Sequence, residues 1–264
     1  MRKTTFIIVM ATLLLAIACG KKQEAAETTE ETIAPEKPVD DGMVYGLACD
    51  GCTDTILVLL RDIDSDPDTF DILDASRNQQ VFGHPRIGDQ MAIVLAPADT
   101  TQHQTLSTPH PIATMVIDID KIQGSWCYMV TPKLRKFASL NNEKEEDFLK
   151  KMPDSVIQRL MQPREYGFQL KNDYQAQPIG MVRQGNTSDD RSPVEYPVLK
   201  RYREWRLYNG LLILNETRRD SLGEQHLMSS DTAEFVILRR DSLILRFNDG
   251  ERHYYRKEEV KSER

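Results

Sequence analysis

The shortness of its apolar runs is what most constrains this chain. From Met43 on, aliphatic and β-branched residues come in brief stretches, "TDTILVLLRD", "TFDILDA", "QMAIVLA" and "IATMVIDID", each flanked by turn-forming residues. That spacing predicts strands. Further on, Asn209-Gly210 stands inside "EWRLYNGLLILNE", between two apolar runs. A two-residue hairpin turn needs positive φ at both positions, which Gly adopts freely and Asn tolerates. Asp241-Ser242 and Asp249-Gly250 then divide "EFVILRRDSLILRFNDGERHYYRK" into a three-stranded meander. The chain is therefore expected to be mainly β and antiparallel.

Two β units are expected. Residues 43–120 hold enough short strands for a small barrel or sandwich. A polar loop, "PADTTQHQTLSTPHP", interrupts them. Residues 121–258 begin with the strand "IQGSWCYMV" and continue through a short helical insert, "NNEKEEDFLKKMPDSVIQRLM". Pro153 splits that insert into two helices, one with Phe148, Leu149 and Met152 on its apolar face, the other with Val156, Ile157, Leu160 and Met161. The strands "EYGFQLK" and "PIGMVRQ" and the meander follow, and the whole predicts an antiparallel up-and-down barrel. Residues 259–264 are a charged tail.

The N-terminus carries a different signal. Arg2 and Lys3 precede an apolar stretch from Phe6 to Leu15. That stretch is shorter than the roughly 20 residues needed to span a bilayer. Ala16 and Ala18 flank Ile17, and Cys19 follows at once. The arrangement resembles the lipobox of bacterial lipoproteins. The resemblance implies a signal peptide at residues 1–18 and acyl chains on Cys19. Gly20, where proteins kept at the inner membrane often have Asp, implies the outer membrane. Residues 19–42 are rich in Glu, Thr, Ala and Pro, lack core-forming residues, and are expected to be a flexible acidic tether. Loss of residues 1–18 removes Arg2 and Lys3 and moves the formal charge from −7 to −9. An acidic chain of this kind argues against a nucleic-acid partner. It leaves the lipid as the link to a membrane.

Cys49 and Cys52 stand three apart ahead of a β run. A redox pair would want a helix N-terminus behind it, and "TDTILVLL" is not helical in pattern. A metal pair would want further ligands, yet His84, His103, His110, His226 and His253 are scattered. A disulfide needs an oxidising compartment and a tight turn, so it is the expected state, with the metal and redox readings left open. Cys127 is then left over. Tyr45, Gly46, Cys49, Cys52, Thr55, Leu57 and Leu59 resemble the strand opening of NlpE-type envelope lipoproteins, which implies copper homeostasis or envelope sensing. This chain is one residue shorter between Gly and the first Cys and has no Pro before it. Asp62, Asp64, Asp66 and Asp68 alternate, but Pro67 and Leu73 stand where an EF-hand loop needs Gly and Glu, so a solvated turn is expected.

Gly124-Ser125-Trp126, with basic residues on the last strand, resembles the Gly-x-Trp signature of lipocalin-like proteins. The resemblance implies barrel closure through Gly124 and Trp126, with Arg256, or failing it Arg252, over the indole. The chain has no Gly-x-Ser-x-Gly, His-Glu-x-x-His or phosphate-binding loop motif. A non-catalytic, lipid-anchored envelope protein without a cofactor is therefore expected, binding a small apolar ligand or another envelope protein. A metal- or thiol-responsive sensor using Cys49 and Cys52 is the alternative, and an enzyme of unrecognised class the third reading.

Overall fold

The computed structural model describes residues 41–97, 110–134, 152–180, 194–197 and 199–258. The expected signal peptide, Cys19, nearly all of the expected tether, most of the polar loop, the expected first helix of the insert and the charged tail lie outside the described residues. So does the second half of "PIGMVRQ".

Six strands form the first sheet: β1 (Val44–Ala48), β2 (Ile56–Leu60), β3 (Asp68–Asp71), β4 (Val81–Phe82), β5 (Gln90–Leu95) and β6 (Ala113–Asp118). Their order is β3-β2-β1-β5-β6-β4, antiparallel except for the parallel β4–β6 pair. Leu57, Leu59, Met91 and Ile93 alternate into its core. "TFDILDA" is strand only in its first half. Asp71 Oδ1 accepts from the Leu73 N–H at 2.9 Å, which turns the chain into helix α1 (Leu73–Arg77) and buries Ala75. Asp62, Asp64 and Asp66 lie in an exposed turn, and Asp68 opens β3.

At the end of β6, Asp118 caps a single helical turn, α2 (Ile119–Ile122), by accepting from the Lys121 N–H at 3.0 Å. Its carboxylate is 0% exposed, with Lys121 Nζ 3.4 Å from Oδ2, and Oδ2 accepts no hydrogen bond. Burial pushes its pKa up to about 6.

Eight strands follow: β7 (Gly124–Val130), β9 (Arg164–Leu170), β10 (Ala176–Ile179), β12 (Glu204–Tyr208), β13 (Leu211–Arg219), β14 (Gln225–Leu238), β15 (Ser242–Phe247) and β16 (Gly250–Arg256). A two-stranded ribbon of β8 (Lys133–Leu134) and β11 (Val194–Glu195) stands apart from them. The order β10-β9-β7-β16-β15-β14-β13-β12 is that of an up-and-down barrel, with first strand paired to last. Closure on the far side is partial. Among the described residues the β10–β12 seam is held at the Gln175–Glu204 bridge, where Ala176 N–H donates to Arg203 O at 2.7 Å and Trp205 N–H to Tyr174 O at 2.9 Å. Asn209 and Gly210 have φ of 46° and 79°, the two-residue turn read from the sequence. Helix α3 (Asp154–Leu160) forms after Pro153. None of its side chains is fully buried: of the expected apolar face, Val156 is exposed and Ile157, Leu160 and Met161 are half-buried.

One end of the barrel is stoppered by the first sheet, within a single compact unit. Phe82 packs on Phe235 with centroids 5.5 Å apart, and Ala92, Ile117, Ile119 and Ile122 join the core built on Trp126, Leu212 and Leu243. The Asn209-Gly210 turn sits at this end, its amides donating to Asp41 O at 2.7 Å and to Met43 Sδ at 3.5 Å. The other end is the mouth. There the outer halves of β13 and β14 run on as a free ribbon, which leaves Leu222, Leu227 and Met228 exposed.

Candidate functional site

Strand alternation aims Tyr128 of β7, Tyr166 and Phe168 of β9, and Tyr254 of β16 inward at the mouth. With Tyr202 before β12 and Phe247 at the end of β15, they bound a cavity of about 380 Å³. The rings meet one another at their edges. Tyr128 and Tyr254 are T-shaped at 5.2 Å between centroids, and Phe168 lies 5.1 Å from Tyr254 and 6.0 Å from Tyr202. The rigid aromatic wall thus comes from strands far apart in sequence.

Polar groups are set between the rings. Tyr202 Oη donates to Asp231 Oδ2 at 2.5 Å, and Lys200 pairs with the other oxygen of the same carboxylate. Across the opening, Arg252 Nη2 lies 2.5 Å from Asp249 Oδ2, and its guanidinium covers the Phe247 ring at 4.5 Å. Burial raises the pKa of Tyr128, Tyr202 and Tyr254 above the ordinary phenol value, with Asp231 adding to the effect at Tyr202. All three phenols are neutral at physiological pH, with the Tyr202 proton already held by Asp231. Among the described residues that line the cavity there is no histidine and no cysteine.

The residues singled out in the sequence fall in four places. Cys19 lies outside the described residues. Trp126 is 0% exposed at the stoppered end, and its indole N–H donates to Ile122 O at 2.6 Å. Arg256 lies over that indole at 4.3 Å and donates to Lys121 O at 2.5 Å, Gln123 O at 2.8 Å and Arg240 O at 2.6 Å. Gly124 makes the room. Its φ is +124°, and a Cβ there would come 2.4 Å from Arg256 Nη1. Arg252 covers Phe247 instead, and so belongs to the mouth.

Cys49 and Cys52 require a correction. Both are free thiols, not the expected disulfide. Cys52 Sγ turns toward the sheet, where it accepts from the Val58 N–H at 3.4 Å and donates to Cys49 O at 3.2 Å. Cys49 Sγ points to Leu47 O at 3.6 Å. The local backbone satisfies each sulfur separately. Cys127 is buried, and burial pushes its pKa up to about 11.

Two features escaped sequence reasoning. The cavity tyrosines were visible only as alternation within strands, which gives a side but not a void. At the ribbon tip, Asp220, Glu224 and His226 cluster with His226 Nε2 3.0 Å from Asp220 Oδ2, all exposed. Asp220 also accepts from the Leu222 and Glu224 amides at 2.9 Å each, as a turn-forming Asp does.

No family model matches this chain, and no curated protein does. The crystal structure of a lipocalin-like protein from Bacteroides thetaiotaomicron VPI-5482 matches over 52% of this chain and 97% of its own length, at 17% identity and a TM-score of 0.27. The barrel described above stands on its own strand order and register.

Proposed function

We propose that this chain is a non-catalytic binding protein of the cell envelope whose ligand sits in the mouth of the barrel. One observation carries the reading. The barrel is filled and stoppered at one end, yet at the other it keeps a ring-walled cavity of about 380 Å³. Small-molecule sites commonly run from roughly 300 to 1,000 Å³, with apolar walls and a few convergent polar groups. The test is a fragment screen followed by NMR of the tyrosine rings. Fragments that bind are expected to shift Tyr128, Tyr202 and Tyr254 together. Binding confined to other surfaces, or none at all, would sink the reading.

The envelope placement rests on the sequence alone. The lipobox-like segment supports acylation at Cys19 and an outer-membrane anchor. Cys19→Ser is expected to move the protein from the detergent phase to the aqueous phase in a Triton X-114 partition. A variant that stays acylated and detergent-bound would refute the anchor and leave the cavity reading untouched.

A further inference from the structure

We infer that the cavity takes a neutral, hydroxyl-rich ring, that is, a saccharide unit; this rests on the binding reading above and narrows it. The charges in the wall point there first. Lys200 is paired with Asp231 and Arg252 with Asp249, so these four charges already face opposite ones. A carboxylate or phosphate would have to share a cation with an aspartate, and a cationic ligand would have to share an aspartate with a cation. Neither sign of ligand meets an uncompensated charge among the four, whereas a neutral polar ligand needs none.

The second argument is the mixture of surfaces. Six aromatic rings line the cavity, and the polar side chains of Lys200, Asp231, Asn248, Asp249 and Arg252 stand among them. A saturated acyl chain laid there would strand those polar atoms without water, at a cost for each. A sugar ring meets both surfaces. Its C–H face is weakly positive and packs on the negative face of a phenol ring. Its equatorial hydroxyls both donate and accept. Asp231 and Asp249 keep acceptor lone pairs beyond those in their ion pairs, and the guanidinium of Arg252 keeps donors.

The third argument is what remains unengaged. Among the described residues, the hydroxyl of Tyr128 and the side-chain amide of Asn248 have no hydrogen-bond partner, and both line the opening. Together they offer donors and acceptors that are neutral, which suits hydroxyl groups rather than an ion.

The test titrates the intact protein with D-glucose, D-galactose and N-acetyl-D-glucosamine, and in parallel with D-glucuronate, choline and palmitate, while NMR follows the tyrosine rings. At least one neutral sugar is expected to shift Tyr128, Tyr202 and Tyr254 saturably, and the charged and apolar probes are not. Tyr128→Phe and Asn248→Ala, both conservative at the rim, are each expected to weaken that sugar about 3- to 10-fold, the effect of one lost hydrogen bond, with the unfolding midpoint unchanged. If palmitate, choline or glucuronate moves the rings and no neutral sugar does, the saccharide assignment is overturned and the binding site stands. If a sugar binds but neither variant weakens it, the assignment is likewise overturned. Silence from these probes and from the fragment screen alike brings down both readings.

Discussion

Trp126→Ala is expected to lower the unfolding free energy by about 3–5 kcal/mol, the range for a buried aromatic truncated to alanine. The indole is 0% exposed and lies where both bodies of the molecule meet. Removing it deletes contacts on every side and leaves a cavity that rigid strands cannot close. It also withdraws the ring beneath Arg256, a contact that can contribute about 0.5–2 kcal/mol. The guanidinium keeps its three carbonyl acceptors, so the charge itself stays solvated by the backbone. The change should therefore appear as a lower midpoint in urea with an unchanged slope. A loss under about 1 kcal/mol would mean that the stoppered end repacks freely, contrary to the interlocked core described.

Asp118→Asn should act in the opposite direction and make the protein more stable at neutral pH, by about 1–3 kcal/mol. The unfolded carboxyl titrates near about 4, the folded one at about 6. Between those values the folded state holds a proton that the unfolded state has already lost. Stability conferred by that proton is complete below about pH 4 and is lost as pH rises through about 6. Two pH units correspond to about 2.7 kcal/mol, and the pairing with Lys121 is already reflected in the shifted value. Asn keeps the cap to the Lys121 N–H while removing the charge from a fully buried site. Stability measured from pH 4 to 8 should fall through that window in the parent and stay flatter in the variant. A variant less stable than the parent at pH 7.5 would show that the Lys121 pair outweighs the burial cost.

Local chemistry was readable in the sequence wherever one residue dictates the backbone. Asn209-Gly210 had to turn, and it does. The alternation in the last meander gave three antiparallel strands and set Arg252, Tyr254 and Arg256 on one side. The same alternation could not say that Arg256 would reach Trp126 while Arg252 stayed on Phe247, because that depends on how far each lies from the stoppered end. The cavity was illegible for a related reason. Tyr128, Tyr202 and Tyr254 become neighbours only after the barrel has curled, and a strand's pattern gives its inner side without revealing whether that side is filled. In Cys49 and Cys52 spacing was a poor guide, since Cys52 Sγ is held by Cys49 O and the Val58 amide and both thiols stay free. "TFDILDA" misled because Phe70 and Ile72, both buried, keep strand alternation up to the point where the Asp71 carboxylate holds a helical turn.

The pairing of β7 with β16 also has a bearing on how the protein is made. Arg256 bonds to the carbonyls of Gln123 and Lys121, more than 130 residues earlier in the chain. A growing chain that has reached β15 holds every strand of the barrel but the one that shuts it. Until β16 is in place, β7 and β15 are open edges facing each other across a gap, and the floor under Trp126 has no rivet. Open edges of that kind recruit other chains, and contacts so distant in sequence form slowly. Before β16 docks, the barrel is thus a sheet with two sticky edges, and the seating of that one strand with Arg256 removes both.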